Sequence, residues 1–312
     1  MSFRQMLADA APNKETALTL GVFDGVHLGH CHLLDRLVRL ATPPLIPLVL
    51  TFSNHPITVL RPGTTVGHLS THHQKVELLK AQGVQAVVSL EFTKDLSQIS
   101  AHDFTSILFD SLGMRGLVVG PDTALGRNRE GDLDFLKKCG DEMGFWVEVA
   151  EPFVMDGAPV KSRLIRSSIS EGDMTASAKM LGRKYSLTGE VIAGDKRGRE
   201  LGFPTANLKL DESMLMPGDG IYSAWAVVDG VRYPTATSIG IRPTFDLTER
   251  LLEVHLIDFN QDIYGKQLCV EFVSKLRDQE KFSGIEELIE KINQDVADAR
   301  IILEQDRGSQ VA

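Results

Sequence analysis

Cysteine is sparse in this chain. Among 312 residues there are three, Cys31, Cys139 and Cys269, odd in number, far apart and in no CxxC pair. That argues against a disulfide framework or a cysteine zinc site and points to a reducing compartment. Long apolar runs are missing too: no stretch approaches the roughly 20 residues a membrane helix needs. The opening MSFRQMLADAAPNKE has no apolar core of the kind that directs secretion. A basic excess is also lacking. The formal net charge is −9, which argues against broad binding to nucleic acid or membrane, although a local basic cluster can still hold a phosphate. Repeats and low-complexity segments are absent. A cytoplasmic protein is the expectation, and no oligomeric state follows from the sequence.

What is present is the balance of a soluble globular protein, 43% hydrophobic and 24% charged, long enough for one large domain or two ordinary ones. Two rhythms divide it. As far as about residue 182, short apolar runs (ALTLGVF, LIPLVLTF, VQAVVSLEF, GLVVG, FWVEVAE) alternate with helical patterns such as HCHLLDRLVRLA and THHQKVELLKAQG. This predicts a parallel sheet with helices on both faces, the α/β class. Ser100 and Asp103 have the spacing of a capping box at the start of one helix. After LGRKYSLTG, strand-like pieces follow one another without long helices, and Asp229-Gly230 sits between β-formers as a hairpin turn. A small antiparallel β-barrel is expected there, closed by a helix over about 284–304, with DRGSQVA as a loose tail. The expected domains are 1–182 and 183–312.

Residues 21–30, GVFDGVHLGH, set three glycines and two histidines where the first strand gives way to a helix. A helix N-terminus offers free N–H groups and the positive end of its dipole, and ligands gather at the carboxyl ends of parallel strands. Gly21, Gly25 and Gly29 let the backbone approach such a ligand. His27 and His30 can donate hydrogen bonds to phosphate oxygens and stabilise charge on a phosphoryl group and its departing pyrophosphate. Two other readings stand beside this one. One is a glycine turn with solvated histidines. The other is a metal site of His27, His30 and His32, which lacks a cysteine or carboxylate cluster. Asp24 suits either a Mg²⁺ ion or the capping of the turn.

In the second half, GDKRGRELGFPTANL (194–208) sets Lys196, Arg197 and Arg199 among glycines, a flexible cover for phosphates. Thr205 and Asn207 are two apart, so on a strand they share a face, where a hydroxyl and an amide oxygen suit Mg²⁺. LLEVHLIDF places Glu253 and His255 on one strand face. In a pocket Glu253 can take a proton from an attacking alcohol.

With those residues in view, GVFDGVHLGH resembles the HxGH signature of the nucleotidylyltransferase superfamily. LGRKYSLTGEVIAGDKRGRELGFPTANL, then GIYSAWAVVDG, SIGIRPTF, LEVHLIDFNQDIYGKQLCVEFVSKLRDQEKFSG and INQD, resemble the riboflavin kinase module. Together, over nearly the whole chain, they resemble the prokaryotic bifunctional riboflavin kinase/FAD synthetase family. The resemblance implies a Rossmann-like FMN adenylyltransferase domain followed by a riboflavin kinase barrel. Riboflavin and ATP would give FMN and ADP, and FMN and ATP would then give FAD and pyrophosphate. It implies catalytic roles for Glu253 as general base and for His27 and His30 at the phosphates. ATP contacts would come from Gly21, Phe23, Asp24, Gly25, Gly29, Asp122, Ser162, Arg166, Gly194, Lys196, Arg197 and Gly198. Mg²⁺ would be held by Thr205 and Asn207, and the flavin by Arg277 and Phe282.

The chain departs from the family pattern in several places. VVGPDTALG (118–126) has Thr123 and Leu125 where aromatics are usual, with Asp122 and Gly126 kept, and two lost rings would remove stacking surface beside a ligand. Lys161, Ser162 and Arg163 stand in the place of an SST run, while Ile165 and Arg166 are kept. Asn54 replaces a common proline and Ser238 a common asparagine. The serious departures all fall in the first half, which leaves a second reading: a riboflavin kinase joined to a degenerate adenylyltransferase module.

Overall fold

The computed structural model describes residues 3–194, 197–244 and 247–308. The chain divides into two compact units, residues 1–162 and 163–312.

In the first unit α1 (Phe3–Ala10) precedes β1 (Thr16–Leu20), α2 (Leu28–Leu40), β2 (Ile46–Phe52), α3 (Pro56–Leu60), α4 (His72–Ala81) and β3 (Ala86–Leu90). Then come α5 (Ala101–Leu112), β4 (Met114–Val119), α6 (Leu133–Met143), β5 (Trp146–Val149) and a small hairpin of β6 (Val154–Met155) and β7 (Ala158–Pro159). The five long strands are parallel, in the order β3-β2-β1-β4-β5. Successive side chains on a strand point to opposite faces, so each strand feeds two cores. Leu18, Leu48, Leu50, Leu117 and Val119 pack with α1, α5 and α6 through Leu7, Leu108 and Leu136. Ala17, Val49 and Val118 pack with α2 and α4 through Leu34, Leu37 and Leu79. The strand order reverses at the centre, since β2 lies on one side of β1 and β4 on the other. That opens a crevice beyond their carboxyl ends.

Ser100 does cap α5, accepting from Asp103 N at 3.1 Å, but its hydroxyl also donates to the Asp103 carboxylate at 2.7 Å. A full capping box forms instead at α4. There Gln74 N donates to Thr71 Oγ1 at 3.2 Å and Thr71 N donates to Gln74 Oε1 at 3.0 Å. The longer glutamine side chain can reach back to the cap N–H.

The second unit runs from α7 (Ser162–Glu171) and α8 (Met174–Leu181) into β8 (Ser186–Ile192), the short α9 (Arg197–Glu200), β9 (Ala206–Lys209), β10 (Gly220–Val228), β11 (Val231–Thr244), β12 (Leu247–Leu256), β13 (Gln267–Arg277) and α10 (Ile285–Gly308). The rhythm of the sequence changes near residue 182, but the physical division falls 20 residues earlier. Gly218 N donates to Ile169 O at 3.1 Å and α8 lies against β13, so both connecting helices pack with the barrel.

The barrel closes in the order β10-β11-β12-β9-β8-β13. Asp229 and Gly230 both have positive φ, at 50° and 77°, and pair Val228 with Val231, the two-residue hairpin expected from sequence. Leu187, Tyr222, Ala224, Leu252, Val254, Val270 and Phe272 are fully buried. Burial pushes the Tyr222 hydroxyl up to about 12, and its ring meets Phe272 edge-on at 5.5 Å. The alternate residues point outward, and α10 covers part of that outer surface through Ala299 and Leu303 against Trp225, Ala236 and Ile257. The end of α10 is clamped there. Trp225 Nε1 donates to Asp306 at 2.7 Å, Lys184 pairs with the same carboxylate at 2.8 Å, and Arg232 and Arg307 lie over the indole at 4.4 and 4.6 Å.

Leu303→Ala removes a side chain that is 1% exposed from this contact. It should cost the second unit about 2–5 kcal/mol, measured as an earlier denaturant midpoint by tryptophan fluorescence.

Candidate functional site

In the first unit the β1–α2 loop turns sharply. Phe23, Gly25 and Val26 all have left-handed backbone, at φ of 50°, 75° and 37°. Such a conformation is costly for a β-branched residue and persists only where the surroundings impose it. They do so here. The buried Asp24 carboxylate accepts Leu69 N–H at 2.9 and 3.2 Å, and Gly25 N donates to Ser70 Oγ at 3.2 Å. Lys75 of α4, 6% exposed, donates its ammonium to the carbonyls of Val22 at 3.2 Å and Phe52 at 2.5 Å. Burial holds this lysine below the usual ammonium range, opposed by the charge of Asp24. Phe23 and Asp24 thus build the loop from beneath, and among the described residues they do not line the hollow above it. Gly21 lies in the same frame, donating to Leu50 O at 3.1 Å.

That hollow, about 380 Å³, is lined by His27, Gly29, His30, Asp122, Lys161 and Ser162 with their neighbours. His27 is the N-cap of α2: its Nδ1 accepts from His30 N at 3.3 Å, so the neutral ring carries its proton on Nε2. The two imidazoles stack with centroids 3.6 Å apart. A Cβ on Gly29 would lie 2.9 Å from Val160 O and 3.1 Å from the His27 ring, so any side chain there would displace one or the other. His32 lies against Phe153. Lys161 Nζ is 2.8 Å from Asp122 Oδ2, and this partner holds the Asp122 carboxyl below its ordinary range. Ser162 Oγ reaches Asp24 O at 3.4 Å. Arg166 lies on α7, in the second unit.

The second unit carries its cavity on the outside of the barrel, about 390 Å³. Glu253 on β12 is directly opposite Asn207 on β9 and Ser238 on β11, so the three form a row across adjacent strands. Thr205 and Asn207 line one end, Glu253 the middle, and Arg277 and Phe282 the other end. Backbone without side chains borders the first end. A Cβ on Gly194 would fall 2.2 Å from the Asn207 amide, and one on Gly198 would fall 2.4 Å from Phe203 O. Lys196 lies outside the described residues, as does the side chain of Arg197. Thr205 also borders a second hollow of about 510 Å³, with Arg199, Asn260, Asp262 and Tyr264. His255 Nδ1–H donates to Pro204 O at 2.9 Å. At the far end Arg277 makes a two-pronged pair with Asp295 of α10, at 2.8 and 2.7 Å, which raises the arginine further above its ordinary range. Gln279 Nε2 bridges Ser238 Oγ at 3.1 Å and Ile239 O at 3.0 Å.

A glycine-lined loop at a helix N-terminus and a carboxylate on a barrel face thus border two separate hollows in one chain. Its first half, residues 9–164, matches the family model for FAD synthetase, and residues 181–303 match that for riboflavin kinase. A bifunctional riboflavin kinase/FMN adenylyltransferase of Pseudomonas fluorescens is 38% identical, over 91% of this chain and 92% of that one. The Escherichia coli protein of the same description is 32% identical over 93% of each. The chain belongs to the bifunctional riboflavin kinase/FMN adenylyltransferase family. A crystal structure described as a macrolide-efflux protein from Streptococcus pneumoniae matches with a TM-score of 0.88 and 29% identity, covering 94% of this chain and 96% of that one. Among the described residues, no helix is long and apolar enough to cross a membrane.

The chain's departures from the family pattern do not all bear on the cavities. Leu125 is 7% exposed and part of the core, so the ring missing there is not missing from the hollow; Thr123 does line it. Asn54 clasps the Phe92 backbone, donating to its carbonyl at 2.9 Å and accepting its N–H at 2.7 Å. Three residues at or beneath the sites escaped the sequence reading: Lys75, Asp295 and Gln279. Lys75 shares a helix stripe with buried Leu79, four positions on. Asp295 falls on the stripe of Leu288, Ile292, Ala299 and Leu303. A charge on an apolar stripe is the signal that could have revealed both.

Asp295→Ala strands the half-buried Arg277 and should cost about 3–5 kcal/mol. A double Arg277→Met/Asp295→Leu variant should regain most of that stability. Thermal unfolding of the two variants checks it, and equal losses would show that the ion pair is not what the fold needs.

Proposed function

We propose that this bifunctional flavin enzyme phosphorylates riboflavin on the outer face of its barrel and adenylylates the resulting FMN at the β1–α2 loop. The observation that carries the first step is the row Asn207–Glu253–Ser238, because it seats a carboxylate between a glycine-bordered end and an arginine–aromatic end. ATP binds with its phosphates at Gly194 and Gly198, under the cover of Lys196 and Arg197. The isoalloxazine lies toward Arg277 and Phe282, and the ribityl chain brings its 5′-hydroxyl to Glu253. Glu253 takes the hydroxyl proton as oxygen attacks the γ-phosphorus and ADP departs.

Thr205 and Asn207 fit a hard cation. They offer neutral oxygen donors, and no group of three or more metal-binding side chains occurs among the described residues, so phosphate and water oxygens would complete the shell. Mg²⁺ held there would neutralise phosphate charge. Removing divalent cations should therefore stop FMN formation.

In the second step the FMN phosphate attacks the α-phosphorus of ATP and pyrophosphate leaves. The nucleophile is already an anion, so neither a protein base nor a covalent enzyme intermediate is needed. His27 and His30, aided by the α2 N-terminus, bind the phosphates and the charge that builds on them. Gly29 leaves the space, Ser162 contributes beside Lys161, and Phe23, Asp24 and Gly25 hold the loop. Residues 1–182 serve the adenylyl transfer and 183–312 the phosphorylation. The setting is the cytoplasm, with no nucleic-acid or membrane partner.

Purified protein given riboflavin, ATP and Mg²⁺ should make FMN and then FAD, resolved by chromatography. FMN alone, with added FMN left unconverted, would sink the adenylyl-transfer half of this reading. His30→Ala should lower FAD formation about 100-fold or more while sparing FMN formation. Glu253→Gln should lower FMN formation by about 100-fold or more and leave FMN-to-FAD conversion near normal. Undiminished kinase activity in that variant would remove Glu253 from its role.

A further inference from the structure

Residues from two of the segments that depart from the family pattern, 118–126 and 160–162, line the first unit's hollow. Lys161 and Asp122 line it together with His27, Gly29 and His30, and they join across it at 2.8 Å. Of the two carboxylates on the lining, Asp122 and Glu151, only Asp122 makes an ion pair among the described residues. Arg129 anchors the Asp122 end, donating to its main-chain carbonyl at 2.9 Å.

Beside these two acids the lining offers an anion a helix N-terminus, two imidazoles and the Lys161 ammonium. A carboxylate cannot itself bind a phosphate, since both are acceptors and both are negative. Its only direct partner in such a place is a cation that the ligand also wants.

We propose that Asp122 stands in for a substrate phosphate, holding Lys161 over the hollow in the free protein and yielding it to the pyrophosphate portion of the nucleotide. This rests on the adenylyl-transfer reading of the first unit. The exchange is easy because the lysine and aspartate side chains are 56% and 79% exposed, and a pair so open to water is weakly held. The lysine ammonium is a point charge on a flexible stem, able to swing between acceptors. Phosphate offers more charge and more oxygens than a carboxylate. Asp122 competes with the ligand for Lys161, and the return of the lysine to Asp122 after the reaction helps pyrophosphate leave. Lys161 thus sets the preference of this site for a polyanionic leaving group, and Asp122 sets how tightly that group is kept.

The test uses the full chain and inorganic pyrophosphate as the probe. Binding is measured by titration calorimetry, beside product inhibition of FAD formation, for wild type, Lys161→Met, Asp122→Asn and the double variant. Lys161→Met should weaken pyrophosphate about tenfold, whereas Asp122→Asn should tighten it about threefold by releasing the lysine. The double variant should match Lys161→Met, because Asp122 acts only through Lys161. Asp122→Asn weakening the probe would overturn the proposal, since Asp122 would then contact the ligand or its metal itself. A tightening that persists without Lys161 would overturn it as well. Were the wild type to bind pyrophosphate in this pattern yet make no FAD, the adenylyl-transfer reading would fall and the exchange would stand.

Discussion

A six-stranded barrel as small as this one fills its interior with its own side chains. Tyr222, Phe272, Leu252 and Val254 leave no room for a substrate inside. Whatever chemistry the barrel supports must therefore be built outside, on residues offset by one from the core positions. The period-2 alternation that buries Leu252 and Val254 turns Glu253 and His255 outward, and Asn207 of β9, itself 8% exposed, pairs directly with Glu253. A one-residue slip in register would turn Glu253 into the core, so the core packing is what keeps the carboxylate in its place. An outer surface alone is only half a site. The second wall comes from α10, and the Trp225–Asp306 clamp holds one end of that helix while Asp295 ties its middle to Arg277.

The first unit meets the opposite constraint. Its sheet is covered on both faces, so the only open ground is at the strand ends, and the reversal of strand order beside β1 decides which end. The loop there has to turn within a few residues. Lys75, buried beneath it, satisfies the Val22 carbonyl of that turn and the Phe52 carbonyl of β2, and the buried Asp24 ties the turn to Leu69 N–H. These two charges never reach the hollow, yet they hold the loop on which the imidazoles depend.

Much of this was legible in the sequence. The two rhythms, the hairpin at Asp229-Gly230, the pairing of faces at Thr205/Asn207 and Glu253/His255, and the histidines at a helix start all follow from local periodicity and turn chemistry. What was not legible depends on contacts between distant segments. The packing of α7 and α8 with the barrel follows from where Ile169 meets Gly218, and a change of rhythm carries no such information. Leu125 reads as a lost aromatic beside a ligand until its burial is known. Lys75, Asp295 and Gln279 look like ordinary polar residues of helices or a loop, because each finds its partner more than 15 positions away.

The two sites also differ in what they ask of their carboxylates. Transfer to an alcohol releases a proton, so a carboxylate is useful in the barrel cavity, and the Glu253 side chain forms no hydrogen bond or ion pair among the described residues. A phosphate nucleophile brings no proton of that kind, so the first unit has no need of a carboxylate base. Asp24 is turned under the loop, onto Leu69 N–H, and Asp122 on the lining is matched by Lys161, while Glu151 stays on the lining without an ion pair among the described residues. The difference in proton bookkeeping between the two reactions is thus written in the surroundings of three acids: Glu253 is left open to act, Asp24 is spent on the backbone, and Asp122 is offset by a cation.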